Sequence, residues 1–121
     1  MNIEKLKLEY LKLTSVCAET NYSDKNSVRR NNNAVKKMYG IIEELSESKN
    51  QNEILKFAEL LEVKENRTNN WVAIQLLEKI KVAKITERKC LEVIKSAISE
   101  NTLVAFGLKI WLNNYNSKTR I

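Results

Sequence analysis

The chain has 121 residues, a net charge of +6 and 43% hydrophobic residues, which fits one domain large enough to fold around its own core. It has no proline and only two glycines, Gly40 and Gly107, which argues against a sheet-rich fold with many tight turns and for helices joined by short polar links. It has no histidine, the commonest general base and metal ligand, so the composition points away from most catalytic and metal chemistry.

The apolar positions Ile3, Leu6, Tyr10, Leu13 and Cys17 recur at spacings of three and four and predict a helix over residues 3–19. Residues 20–32 form the most polar stretch, rich in Asn, and read as a loop with a possible helical start near Ser27. From residue 33 to 116 the pattern is helical. A second helix passes through Val35, Met38, Tyr39, Ile42 and Leu45. Asn50, with Glu53 three residues on, resembles a capping box and opens a third through Ile54, Phe57, Ala58 and Leu61. Glu65 to Asn70 is expected to turn. A fourth helix, Trp71 to about Ala83, is apolar on most of its circumference and is expected to be surrounded by others. Thr86 is the expected cap of a fifth helix through Cys90, Val93, Ile94 and Ala97. Asn101 or Thr102 would cap a sixth through Phe106, Leu108, Trp111 and Tyr115, with fraying after Asn116.

The last two helix pairs look alike. Trp71-Val72-Ala73-Ile74-Gln75-Leu76 lies over Leu103-Val104-Ala105-Phe106-Gly107-Leu108 at an offset of 32, and Leu55…Ala58 lies over Leu91…Ile94 at an offset of 36. A two-helix repeat of this length marks a helical solenoid. The expected fold is therefore one all-α domain over residues 1–121: a short right-handed HEAT-like α-solenoid of about six helices in antiparallel pairs.

Chemistry-bearing groups are few. Cys17 and Cys90 are isolated and read as small buried hydrophobes in a reducing cytosol. No apolar run approaches the roughly 18–20 residues that cross a bilayer, and the charged start Met1-Asn2-Ile3-Glu4-Lys5-Leu6 does not read as a signal peptide. The expectation is a cytoplasmic protein with no cofactor, no metal and no membrane partner. Glu43, Glu44 and Glu47 on one helix, and Glu59 and Glu62 on the next, could do acid–base work only if buried. Their positions on polar faces make them solvated charges, so the chain reads as a binder and not an enzyme.

Charge is segregated. Residues 40–65 hold seven glutamates against Lys49, Lys56 and Lys64, while the segments 1–39 and 79–109 are each net +4. The acidic block, Glu43, Glu44, Glu47, Glu59, Glu62 and Glu65, would complement a basic protein and steer its approach. Arg67, Asn69 and Asn70, in the adjacent turn, join it as candidate partner contacts. Lys79, Lys81, Lys84, Arg88 and Lys89 form an alternative patch for nucleic acid. Five Arg against sixteen Lys, and no aromatic interleaved in sequence, weigh against that use. Trp71 and Trp111 are core residues by type, and interface anchors if partly exposed.

The stretches Asn33-Ala34-Val35-Lys36-Lys37-Met38, Glu43-Glu44-Leu45, Ile54-Leu55, Leu60-Leu61, Asn70-Trp71-Val72-Ala73 and Leu76-Leu77 resemble a family of small bacterial HEAT-like helical proteins. The likeness covers roughly residues 30–115. Where that family has a His-Pro-Asn turn, this chain reads Lys64-Glu65-Asn66-Arg67-Thr68-Asn69-Asn70. The family is described as of unknown function, and includes immunity proteins found beside secreted toxins, such as those of contact-dependent growth inhibition. The resemblance implies a partner, a cognate protein toxin such as a nuclease, that the chain would neutralise by covering its active site.

Overall fold

A computed structural model describes residues 2–100 and 102–119, with the side chain of Thr119 outside that set. The described chain is all-helical. Helix α1 spans Ile3–Ala18, α2 Lys25–Ser48, α3 Gln51–Phe57, α4 Thr68–Lys79, α5 Lys84–Ser99 and α6 Leu103–Thr119. A 3-10 helix, Ala58–Glu62, continues α3, and a second short one, Glu65–Arg67, precedes α4.

Local chemistry sets most of the helix starts. Asn2 accepts a hydrogen bond from the Lys5 amide and opens α1, whose Ile3, Leu6, Tyr10 and Thr14 are buried. Asn50 accepts from the amides of Asn52 and Glu53, as the sequence predicts, and opens α3. Thr102 Oγ1 accepts from the Ala105 amide at the start of α6; Asn101, the other candidate there, lies outside the described residues.

Four expectations are corrected. The polar loop predicted over 20–32 shrinks to a short connection, because Asp24 Oδ1 takes the Asn26 amide at 2.9 Å and starts α2 at Lys25. The Asn-rich segment is thus a helix whose early turns bury little beyond Ser27 and Ala34. The third helix tightens into 3-10 geometry at Ala58. The fourth begins at Thr68 rather than Trp71 and ends at Lys79, because Ile80 is extended at φ −128°, ψ 135°. Thr86 is not a cap: it is buried in the first turn of α5, which starts at Lys84 behind Ala83 with no side-chain cap.

Helix α4 is the hub, packed by α1, α2, α5 and the 58–62 segment. Val72, Ala73, Gln75 and Leu76 are fully buried there, which is why its circumference is so apolar. α2 packs beside α1, and α6 beside α5. The core is continuous from Ile3 and Leu6 through Met38, Ile42, Leu45, Phe57 and Leu76 to Ile94, Ala97 and Leu108. Tyr10 meets Phe57 edge to face, with centroids 5.2 Å apart. Among the described residues no helix is long and apolar enough to cross a membrane.

The two similar segments share part of their environment. Ala73 and Ala105 are both buried, as are Leu76 and Leu108. The flanking positions diverge: Val72 is buried and Trp71 and Ile74 half-buried, whereas their counterparts Val104, Leu103 and Phe106 stand exposed.

Candidate functional site

The surface feature that gathers the most sequence-predicted contact residues is a groove of about 480 Å3 between the 61–70 segment and α5. Its floor is Leu61, Val93 and Ala97. Glu62, Lys64, Arg67, Asn69 and Asn70 form one wall, and Lys89, Glu92, Ser96 and Glu100 the other.

The wall from 62 to 70 is shaped by backbone geometry. Val63 is extended, and its carbonyl accepts the Asn69 amide at 2.8 Å. The Lys64 carbonyl accepts the Arg67 amide at 3.1 Å. Asn66 and Arg67 both have φ 56°, in the left-handed region. Asn tolerates that conformation, whereas an ordinary side chain pays about 1–2 kcal/mol for it. Thr68 then starts α4 and is buried, its hydroxyl 2.8 Å from that of Thr14. This contact ties the turn to α1. Arg67, Asn69 and Asn70 are thereby carried to the groove mouth by a segment fixed at both ends.

The charges are mixed and idle. Lys64, Arg67 and Lys89 stand with Glu62, Glu92 and Glu100 around an apolar floor, and none of the six makes a side-chain ion pair among the described residues. A partner with alternating charge could engage them without first breaking internal bridges.

The other acidic candidates lie elsewhere. Glu43, Glu44 and Glu47 are exposed on α2, and Glu65 is exposed in the turn. Glu59 receives the Lys7 ammonium at 2.9 Å, a contact that raises the Lys7 pKa. The five basic candidates are also divided. Lys89 lines the groove just described, Lys79 and Lys81 line a second one with Glu78, Glu87 and Tyr115, and Lys84 and Arg88 are exposed on α5.

Beside the second groove is an aromatic cluster that sequence reasoning missed. Glu78 accepts the Tyr39 hydroxyl at 2.6 Å through Oε2 and the Trp111 indole N–H at 2.8 Å through Oε1. One carboxylate at the end of α4 thus ties α2 to α6. Burial and then this carboxylate push the Tyr39 pKa upward. Lys79 sits 5.6 Å from the Tyr39 ring centre, and Trp111 stacks on Tyr115 with centroids 5.2 Å apart. The basic segment 79–89 contains no aromatic of its own, yet Tyr39 stands beside Lys79 and Tyr115 shares a groove with Lys79 and Lys81.

A third groove, about 520 Å3, lies between Cys17, Tyr22, Asn31, Lys64, Asn66, Arg67, Trp71 and Val104. Trp71 is half-buried there, packed against the core on one side and open on the other. Cys17 is half-buried and Cys90 buried; both are free thiols. Burial pushes the Cys90 thiol up to about 12, so it stays protonated near neutral pH. Among the described residues no group of three or more Cys, Asp or Glu is placed to hold a metal ion. The chain matches no protein-family model, no curated protein and no solved structure.

Proposed function

We propose that this chain is a non-catalytic binding inhibitor: an immunity protein that docks on a cognate bacterial toxin in the cytoplasm and covers its active site. We read the helices as a short right-handed HEAT-like solenoid of antiparallel pairs, with the 62–70 wall as its contact edge. The reading is supported chiefly by one observation. Glu62, Arg67, Asn69 and Asn70, singled out from sequence as partner contacts, converge with Lys89 of the basic patch on one groove whose charges form no ion pair among the described residues. The exposed glutamates of α2 add a second acidic surface suited to steering a basic enzyme such as a nuclease.

The test is co-expression with the product of the adjacent reading frame, followed by titration of the purified pair. The expected result is a stable complex that abolishes the partner's toxicity, with Arg67→Ala and Asn70→Ala together weakening binding at least tenfold. If the neighbouring product is harmless and does not bind, the proposal fails.

A second reading, nucleic-acid binding, is favoured by Lys79 standing over the Tyr39 ring and by Lys79 and Lys81 sharing a groove with Tyr115. Glu78 and Glu87 lie in the same patch and oppose phosphate. A salt titration against oligonucleotides separates the readings, since phosphate contacts weaken steeply as salt rises.

A further inference from the structure

We propose that two copies of this chain pair through α6, forming a symmetric dimer that dissociates in the micromolar range. This inference does not rest on the inhibitor reading.

The argument begins with an asymmetry of exposure. Leu103 is 95% exposed, Phe106 69% and Ile110 50%, with Val104 beside them at 39%. Leu103, Phe106 and Ile110 stand at i, i+3 and i+7, one face of one helix. Exposed apolar residues elsewhere, such as Leu8, Leu55 and Ile85, belong to separate helices. The α4 positions that correspond to Leu103, Val104 and Phe106 face a different fate: Val72 is buried, and Trp71 and Ile74 are packed against the core. So α6 carries the apolar character of an interior helix while one side of it has no neighbour among the described residues. Leu103, Phe106 and Ile110 together expose roughly 400 Å2, more than a lone surface hydrophobe and about half of the ~800 Å2 each partner hides in a standard interface.

The occupant follows from what the rest of the molecule offers. A head-to-tail stack would need a second apolar face. The outer face of α2 instead exposes Lys36, Lys37, Glu43 and Glu44, which would meet α6 as unpaired charge. The face of α6 is complementary to itself. In an antiparallel pairing centred between positions 106 and 107, Leu103 of one copy faces Ile110 of the other, and Phe106 of each copy lies over Gly107 of the other. Gly107 marks the point of closest approach. It is exposed, and a Cβ added there would meet nothing in its own chain. The fold of one copy therefore does not require glycine, and alanine would suit the helix better. Gly40 is equally free, but stands on a polar face. A symmetric pair closes on itself and leaves no apolar end to propagate.

The experiment is sedimentation velocity of the 121-residue chain across the micromolar range, alongside Phe106→Glu and Gly107→Leu, with circular dichroism on each. The wild type is expected to shift from monomer toward dimer as concentration rises. Both variants are expected to remain monomeric with unchanged helix content, their association weakened at least tenfold. A wild type that stays monomeric throughout overturns the proposal. So does a dimer that survives both substitutions, or growth into open-ended assemblies.

Discussion

Gln75 accepts the Tyr10 hydroxyl at 2.7 Å through Oε1, and its Nε2, fully buried, has no partner among the described residues. Tyr10 comes from α1 and Gln75 from α4, so this bond crosses the middle of the core. A second buried pair, Thr14 with Thr68, sits one turn along the same helix contact. The core is thus fastened by hydrogen bonds as well as packing, and one of them is only half complete.

Tyr10→Phe would leave the Gln75 amide with no partner at either end and should cost about 1–3 kcal/mol. Gln75→Met alone strands the phenol and should cost a similar amount, about 1–3 kcal/mol, offset by removal of the idle Nε2. The double variant removes all the polar atoms together and is expected to be more stable than the sum of the single changes implies. Urea unfolding of the four proteins measures this coupling directly. Strict additivity would mean that the bond contributes nothing.

The alkaline side of the stability profile should fall early. Burial raises the pKa of Tyr10 and Tyr39 and holds Cys90 near 12. In the unfolded chain these groups ionise at their ordinary values, about 8.5 for Cys and about 10 for Tyr. Above those values the unfolded state has released protons that the folded state still holds, so stability drops as pH rises. Lys7, whose pKa is raised by Glu59, acts in the same direction: its contribution is complete below its ordinary value and fades above it. Thermal unfolding between pH 8 and about pH 11 should show a steady decline in midpoint from near pH 9. Tyr10→Phe should flatten that slope while lowering the midpoint throughout.

Glu78→Ala would release both the Tyr39 hydroxyl and the Trp111 indole. The three side chains are partly solvated, so the expected loss is about 1 kcal/mol rather than the larger figure for a dry pair. The local effect should be greater than the global one. Trp111 emission should shift to the red, and the amides of α6 should exchange faster. If α6 keeps its protection, the clamp is not what holds it.

Arg67→Gly should stabilise the chain. Relief of the left-handed conformation is worth about 1–2 kcal/mol, and the extra freedom of glycine in the unfolded state takes back about 0.5–1 kcal/mol. A small rise in the urea midpoint is the expected outcome. Under the inhibitor reading the same change weakens partner binding, so stability and affinity should move in opposite directions.

Much of this architecture could be read from periodicity, and the exceptions share causes. α1, α4, α5 and α6 announce themselves because their apolar residues recur every three or four positions. The first turns of α2 do not, since Arg29, Arg30, Asn32 and Asn33 face solvent and only the cap at Asp24 marks the start. The switch to 3-10 geometry at Ala58 has no signature, because i+3 and i+4 spacings overlap. Thr14, Thr68 and Gln75 look like surface residues, and each is buried by a partner 54 or 65 positions away that no local pattern reveals. The groove is half visible in the sequence: a turn is legible over 65–70, although α4 begins inside it at Thr68, and the opposite wall on α5 depends on how two distant helices lie together. Glu78 was invisible as a clamp, since neither Tyr39 nor Trp111 is near it in sequence.

The position of α4 at the centre has a consequence for how the chain is made. Tyr10 and Thr14 emerge from the ribosome long before Gln75 and Thr68, so the first two helices must wait with their inner faces unsatisfied. Each half contributes one side of the same buried contact, which forms only when both are present. Folding on the ribosome should therefore stall until Lys79 has cleared the exit tunnel, and a chain broken anywhere before that point should be degraded rather than stored.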